Sequence, residues 1–157
     1  MVSRRGLLRS SIAAVAVALP TMGADSPAGD PWPQTDLIEP AALAKLLASG
    51  GEQLHIFCVT FPVLYRQKHI PHAQFAGPAN KPESIAGLLA AVEALPKNAR
   101  IVLYCGCCPM DKCPNIRPAY RALRERGFEH VRVLHLPTNF HTDWTAKGYP
   151  VVSASLQ

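Results

Sequence analysis

An α/β fold, with a parallel sheet covered by helices on both faces, is predicted by three features of this 157-residue sequence. Extended and helical patterns alternate from Asp36 onward, the order produced by right-handed strand–helix–strand crossovers. Residues 99–105, ARIVLYC, hold a run of consecutive apolar residues entered through a turn-like PKNA and ended at Cys105, as a buried strand requires. Residues 81–95 place Ile85, Leu88, Leu89, Val92 and Leu95 on one helical face. The length suits one domain with a real hydrophobic core.

Taken in order, Leu37 and Ile38 form a short first strand. PAALAKLLAS (40–49) is a helix with Pro at its start and Gly50-Gly51 at its end. LHIFCVT (54–60) reads as a buried strand, FPVLYRQKH as a short helical turn, and HAQFAG (72–77) as a second short extended run. The helix at 81–95 leads into the strand at 99–105. Residues 116–126 form a helix stopped by Gly127, with Asn115 as its expected cap and Pro118 tolerated in its first turn. VRVLHL (131–136) is the next strand, and NFHTDWTAKG (139–148) the last helix. Ligands of such sheets bind at the carboxyl ends of the strands, which is where Cys105 falls.

The domain is expected over residues 37–153. Before it, residues 1–24 have a basic start, an apolar run from Ile12 to Leu19 and small residues near Ala24, the layout of a secretory signal peptide. The apolar run is shorter than the roughly 20 residues a bilayer span needs. SRRGLLR closely resembles the twin-arginine consensus, with Arg4 and Arg5 as the pair, which implies export of an already folded protein to the periplasm. Residues 25–36 are rich in Pro, Gly and Asp and read as a flexible linker.

Loss of residues 1–24 removes Arg4, Arg5 and Arg9 and no acid, so the formal charge falls from +5 to +2. Nothing in that balance calls for nucleic acid or for a membrane after cleavage. Arg117, Arg121, Arg124 and Arg126 are the solvated face of one helix.

Four of the five cysteines, Cys105, Cys107, Cys108 and Cys113, lie in CGCCPMDKC between the clearest strand and a helix. A thiol that ends a strand and precedes a helix faces unpaired N–H groups and the positive end of the helix dipole, which favours its thiolate. Cys105 is the residue placed for this. Two other chemistries stay open. In an oxidising compartment the thiols can cycle through disulfides, with Cys105 or Cys108 paired to Cys113, or Cys105 to Cys58. Adjacent Cys107 and Cys108 have Cα atoms only ~3.8 Å apart, below the usual disulfide span of ~4.4 to 6.8 Å. Alternatively, Cys105, Cys107, Cys108 and Cys113 supply four thiolates, with the Met110 thioether, His135 and His141 nearby, for copper or zinc.

From Leu37 to Val151 the chain resembles a rhodanese-like domain. KHIPHA (68–73) is similar to that family's Gly-His-Ile-Pro-Gly-Ala, and IVLYC (101–105) to the strand that delivers its catalytic cysteine. RALRERGFEHVRVL (121–134), Trp144 and GYP (148–150) complete the likeness, in which His69 and Trp144 are buttresses of the fold. There are departures. Cys58-Val59-Thr60 stands where the family usually has Asp-Val-Arg, and Thr138-Asn139 where it has Gly-Gly. The loop after Cys105 (Gly106, Cys107, Cys108, Pro109, Met110, Asp111, Lys112, Cys113) is several residues longer than usual.

The resemblance implies a single domain with a five-stranded parallel sheet and sulfurtransferase activity without a cofactor. Cys105 would take sulfane sulfur from a small anion such as thiosulfate, hold it as a persulfide, and pass it to a thiol or protein acceptor. Lys112 and Arg117 are the candidates for attracting the anion, and Cys58, Cys108 and Cys113 for resolving thiols. The phosphatase and arsenate-reductase branches of the fold need an arginine six residues after the nucleophile, and that position is Asp111.

Overall fold

The structure is a computed structural model that describes residues 29–50 and 53–154. The export signal expected at 1–24 lies outside the described residues. Five strands form one parallel sheet in the order β1-β5-β4-β2-β3. They are β1 (Leu37–Ile38), β2 (His55–Cys58), β3 (Gln74–Phe75), β4 (Arg100–Tyr104) and β5 (His130–Leu134). The helices between them are α1 (Pro40–Ser49), α2 (Pro62–Gln67), α3 (Pro82–Ala91), α4 (Ile116–Glu125) and α5 (Phe140–Asp143).

The two-residue period of the strands sorts side chains between two cores. Phe57, Val59, Ile101, Leu103, Cys105, Val131 and Val133 pack against Leu88 of α3 and Ala119, Tyr120 and Leu123 of α4. Ile56, Cys58, Val102, Tyr104 and Leu134 point the other way, against Leu43 of α1, Ile70 and Trp144. Both faces are covered, which is why β2 and β4 read as unbroken apolar runs rather than as alternating ones.

The predicted final helix over 139–148 is two pieces. After α5 the chain turns at Trp144 (φ −124°, ψ −64°) into a 3-10 turn, Thr145–Lys147. Asp143 accepts from the backbone N–H of Thr138 and Asn139, and Trp144 is fully buried, donating from Nε1 to Pro150 O at 2.9 Å. His69 is a buttress, as expected: its ring stacks on Tyr65 and its Nδ1 lies 2.8 Å from Tyr65 O, while its backbone pairs with Val152.

The segment read as a free linker is docked over its described part, 29–36. Trp32 is 6% exposed and meets the Tyr120 ring edge-on at 5.6 Å, Asp30 pairs with Arg117, and Asp36 accepts from the Tyr120 hydroxyl. A Pro-rich composition signals the missing backbone donors but not that a large aromatic within it finds a slot beside α4.

Candidate functional site

β2 and β4 run side by side, with Cys58 opposite Tyr104, so their carboxyl ends bring Cys58 and Cys105 to the same edge of the sheet. Beyond Cys105 the chain reverses at Gly106 (φ +72°), where an added Cβ would sit 2.6 Å from Phe140 Cβ and 2.9 Å from Phe140 N. Phe140 N also donates to Gly106 O at 3.0 Å, so the start of α5 clamps this turn. Only glycine combines the left-handed backbone with that approach. The loop continues through a 3-10 turn, Met110–Lys112, and returns to Asn115 at the start of α4.

This path folds three sulfurs into one cluster. Cys105, Cys107 and Cys113 have Sγ atoms all within 4.8 Å of one another, and Cys105 lies 3.2 Å from Cys107. Cys108 touches Cys107 at 3.2 Å and does not belong to the mutual set. All five cysteines are free thiols. Neither expected histidine is in the cluster: His135 bonds Glu39 through Nδ1 at 2.8 Å, and His141 lines the neighbouring cavity.

Asn115, expected as a helix cap, makes no side-chain cap hydrogen bond. It is fully buried, its Oδ1 accepts from Asn80 N at 3.1 Å, and its Nδ2 donates to Cys105 Sγ at 3.5 Å and Cys107 Sγ at 3.8 Å. The Asn80 N–H fixes the amide orientation, leaving only donors to face sulfur. Sequence inspection missed this role, because capping is the commonest use of Asn before a helix.

The cluster's negative charge is placed differently from the expectation. Cys113 is held well below the usual thiol range, first by S–H contacts from Cys105 and Cys107 and then, against the opposing effect of burial, by the N–H groups of Asn115 and Ile116 at the start of α4. Cys105 is raised: contact with Cys107 favours its thiolate, but the Cys113 sulfur and burial outweigh that. Cys107 is raised, chiefly by the Cys105 sulfur, and Cys108 is raised, chiefly by burial. The expectation that the helix start favours a Cys105 thiolate does not hold: its N–H groups act on Cys113, the cysteine nearest to it in the chain, and Cys105 is raised.

Cys105 is 5% exposed and forms part of the floor of an open cavity of about 630 Å³. Cys58, Thr60 and Tyr104 line its β2 side, Lys68 and Gln67 one rim, and Asn139 and His141 the other. Among the described residues no carboxylate lines it. Thr60 is 2% exposed, and its hydroxyl is a buried side-chain polar atom without a partner. A buried hydroxyl left unpaired costs about 1–3 kcal/mol, so a water or a polar group entering the cavity gains a hydrogen bond at this wall.

The two residues expected to attract an anion are elsewhere. Arg117 donates to Met110 O at 3.2 Å and Cys113 O at 3.1 Å, pairs with Asp30, and lies over the Trp32 ring. It braces the back of the loop. Lys112 is exposed and lines none of the described cavities, and Lys68 supplies the ammonium at the cavity instead.

The sequence profile of the rhodanese-like domain matches residues 39–136. The solution structure of the rhodanese-like domain of an Anabaena protein is similar at 24% identity and a TM-score of 0.55, covering 75% of this chain and 79% of that one. A thiosulfate sulfurtransferase from Pseudomonas aeruginosa matches at 27% identity and a TM-score of 0.56, over 77% of this chain and 20% of that one. A Rhodopseudomonas palustris protein of unknown function, described as a possible tyrosine phosphatase, matches at 17% identity and a TM-score of 0.53, over 74% of this chain and 84% of that one. No curated protein sequence matches the chain.

Proposed function

The chain belongs to the rhodanese-like domain family, and from that premise we propose that it is an exported, periplasmic sulfurtransferase carrying sulfane sulfur as a persulfide on Cys105. The observation that supports this most is the position of Cys105, at the floor of an open cavity that no carboxylate among the described residues lines, and within one sulfur cluster with Cys113. An anionic donor such as thiosulfate enters past Lys68 and meets the unpartnered Thr60 hydroxyl. Cys113 accepts the Cys105 proton across the sulfur contact. The Cys105 thiolate then attacks the outer sulfur of thiosulfate, the S–S bond of the donor breaks, and sulfite leaves with the electron pair. The persulfide anion formed is held by the Asn115 amide and passed to a thiol or protein acceptor.

A phosphatase reading is not supported, since Asp111 stands where an oxyanion-gripping arginine is required and no arginine among the described residues lines the cavity. A second reading rests on one observation, the mutual set of three sulfurs. Three thiolates, those of buried Cys105 and Cys113 and half-buried Cys107, without a fourth mutual ligand among the described residues, suit three-coordinate copper(I) better than zinc, which takes four ligands in structural sites. Elemental analysis of the full chain matured in its own host separates the two: stoichiometric copper supports the metal reading, and a metal-free protein that releases sulfite from thiosulfate supports the transferase. Loss of that sulfite in Cys105→Ser assigns the step to Cys105, and an undiminished release in the variant refutes the assignment.

A further inference from the structure

Two spaces meet at Cys105. One is the open cavity, through which a donor arrives. The other is a narrow cleft of about 10 Å³ lined by Cys105, Cys113, Cys108, Met110 and Leu136 among others, at the lower limit of what a single water needs. Cys107 lines the cavity, whereas Cys113 lines the cleft and is 3% exposed. A sulfur delivered from the cavity therefore leaves Cys105 Sγ lying between that outer sulfur and Cys113. Attack on a disulfide sulfur proceeds along the line of the bond being broken, and this is the arrangement it requires.

We propose that Cys113 resolves the Cys105 persulfide from the side away from the main cavity, so that the protein reduces sulfane sulfur to hydrosulfide and stores the oxidation as a Cys105–Cys113 disulfide. The inference rests on the persulfide reading above. After loading, the proton that left Cys105 is on Cys113. It passes to the outer sulfur, the Cys113 thiolate attacks Cys105 Sγ, and a new Sγ–Sγ bond forms as the bond to the outer sulfur breaks. The electron pair leaves with the outer sulfur, which departs into the cavity as hydrosulfide. The sulfane sulfur gains two electrons, and the two cysteine sulfurs lose one each. An external dithiol reductant, by thiol–disulfide exchange, returns both cysteines to thiols for the next turnover.

The distance permits the step. The two sulfurs are within 4.8 Å and must close to ~2.05 Å, and a change of χ1 rotamer moves a cysteine sulfur by roughly 3 Å. Cys108 lies outside the mutual cluster, and Cys58 lies on the opposite face of the sheet.

The test is a single loading of the full chain with thiosulfate and no reductant, measuring sulfite and sulfide together. Sulfite reports loading and sulfide reports resolution. The expected ratio of sulfide to sulfite is about one, with the protein about 2 daltons lighter than its reduced form and Cys105 linked to Cys113 in the peptide map. In Cys113→Ser the ratio should fall below about 0.1, with the protein holding a mass gain of about 32 daltons. Sulfite without sulfide, together with a lasting persulfide on the wild-type chain, overturns this inference and leaves the transferase reading standing. A ratio unchanged in Cys113→Ser, or a map linking Cys105 to Cys107 or Cys108, also overturns it. No sulfite at all overturns both.

Discussion

Two neighbouring parallel strands each deliver a buried cysteine to one cavity, and the two thiols meet different neighbours there. Cys58 ends β2 on the apolar face with Tyr104, and burial pushes its thiol from an ordinary value near 9 up to about 12, against smaller opposing contacts from Tyr104 and Thr60. Cys105, one residue past the end of β4, lies on the other face, in contact with the Cys107 sulfur and the Asn115 amide. Both border the same cavity. Both strand ends bring a thiol to the cavity, but of the two only Cys105 has the Cys107 sulfur and the Asn115 amide against it, and under the proposed function those contacts select it as the nucleophile. β2 leads into the six-residue α2, which begins beyond an exposed Phe61, and no cluster forms there.

The comparison can be broken most sharply by exchanging the thiols. Cys105→Ser should reduce sulfite release from thiosulfate by at least ~100-fold, because no nucleophile remains. Cys58→Ala should still gain the sulfur adduct, seen by intact mass. Equal losses in the two variants would mean that the strand end alone confers reactivity.

Next in size is the turn that separates the two environments. Gly106→Ala places a Cβ against Phe140 in a left-handed backbone and should cost about 2–4 kcal/mol in denaturant unfolding. Gly127, with nothing within 4 Å of an added Cβ, provides the control: Gly127→Ala should cost about 1 kcal/mol, from its left-handed backbone alone.

Burial of Cys58 also makes stability depend on pH in a defined direction. Between about 9 and 12 the unfolded chain has lost this proton while the folded chain keeps it, so the folded form binds more protons and stability falls as pH rises. The expected loss is on the order of 3 kcal/mol between pH 7 and pH 11. Tyr120, raised to about 12 by burial and by Asp36, acts in the same sense. In Cys58→Ala the alkaline decline, followed by thermal unfolding, should become shallower.

The smallest effect expected is at the cavity rim. Lys68→Ala should raise KM for thiosulfate about threefold to tenfold with little change in kcat, since an exposed ammonium attracts an anion without entering the chemistry. Lys112→Ala should leave both parameters unchanged.

The sheet was legible because β2 and β4 are buried on both faces, and such strands appear as apolar runs whatever their partners. Position also singled out Cys105 at a strand's carboxyl end. What local sequence could not convey were contacts closed over long separations. Asn115 turns from capping to the sulfurs because Asn80, 35 residues earlier, supplies the N–H for its oxygen. Arg117 is drawn from the cavity by Asp30, 87 residues away, and by the carbonyls of its own loop. The Met110–Lys112 turn, which carries Cys113 back toward Cys105, has no apolar period to reveal it.

The most direct measurement is sulfite released in a single turnover with thiosulfate by the full, chelator-treated chain and by its Cys105→Ser variant. The account predicts about one equivalent from the wild-type chain and none from the variant. Equal release from both, or no release from the wild-type chain, would contradict it.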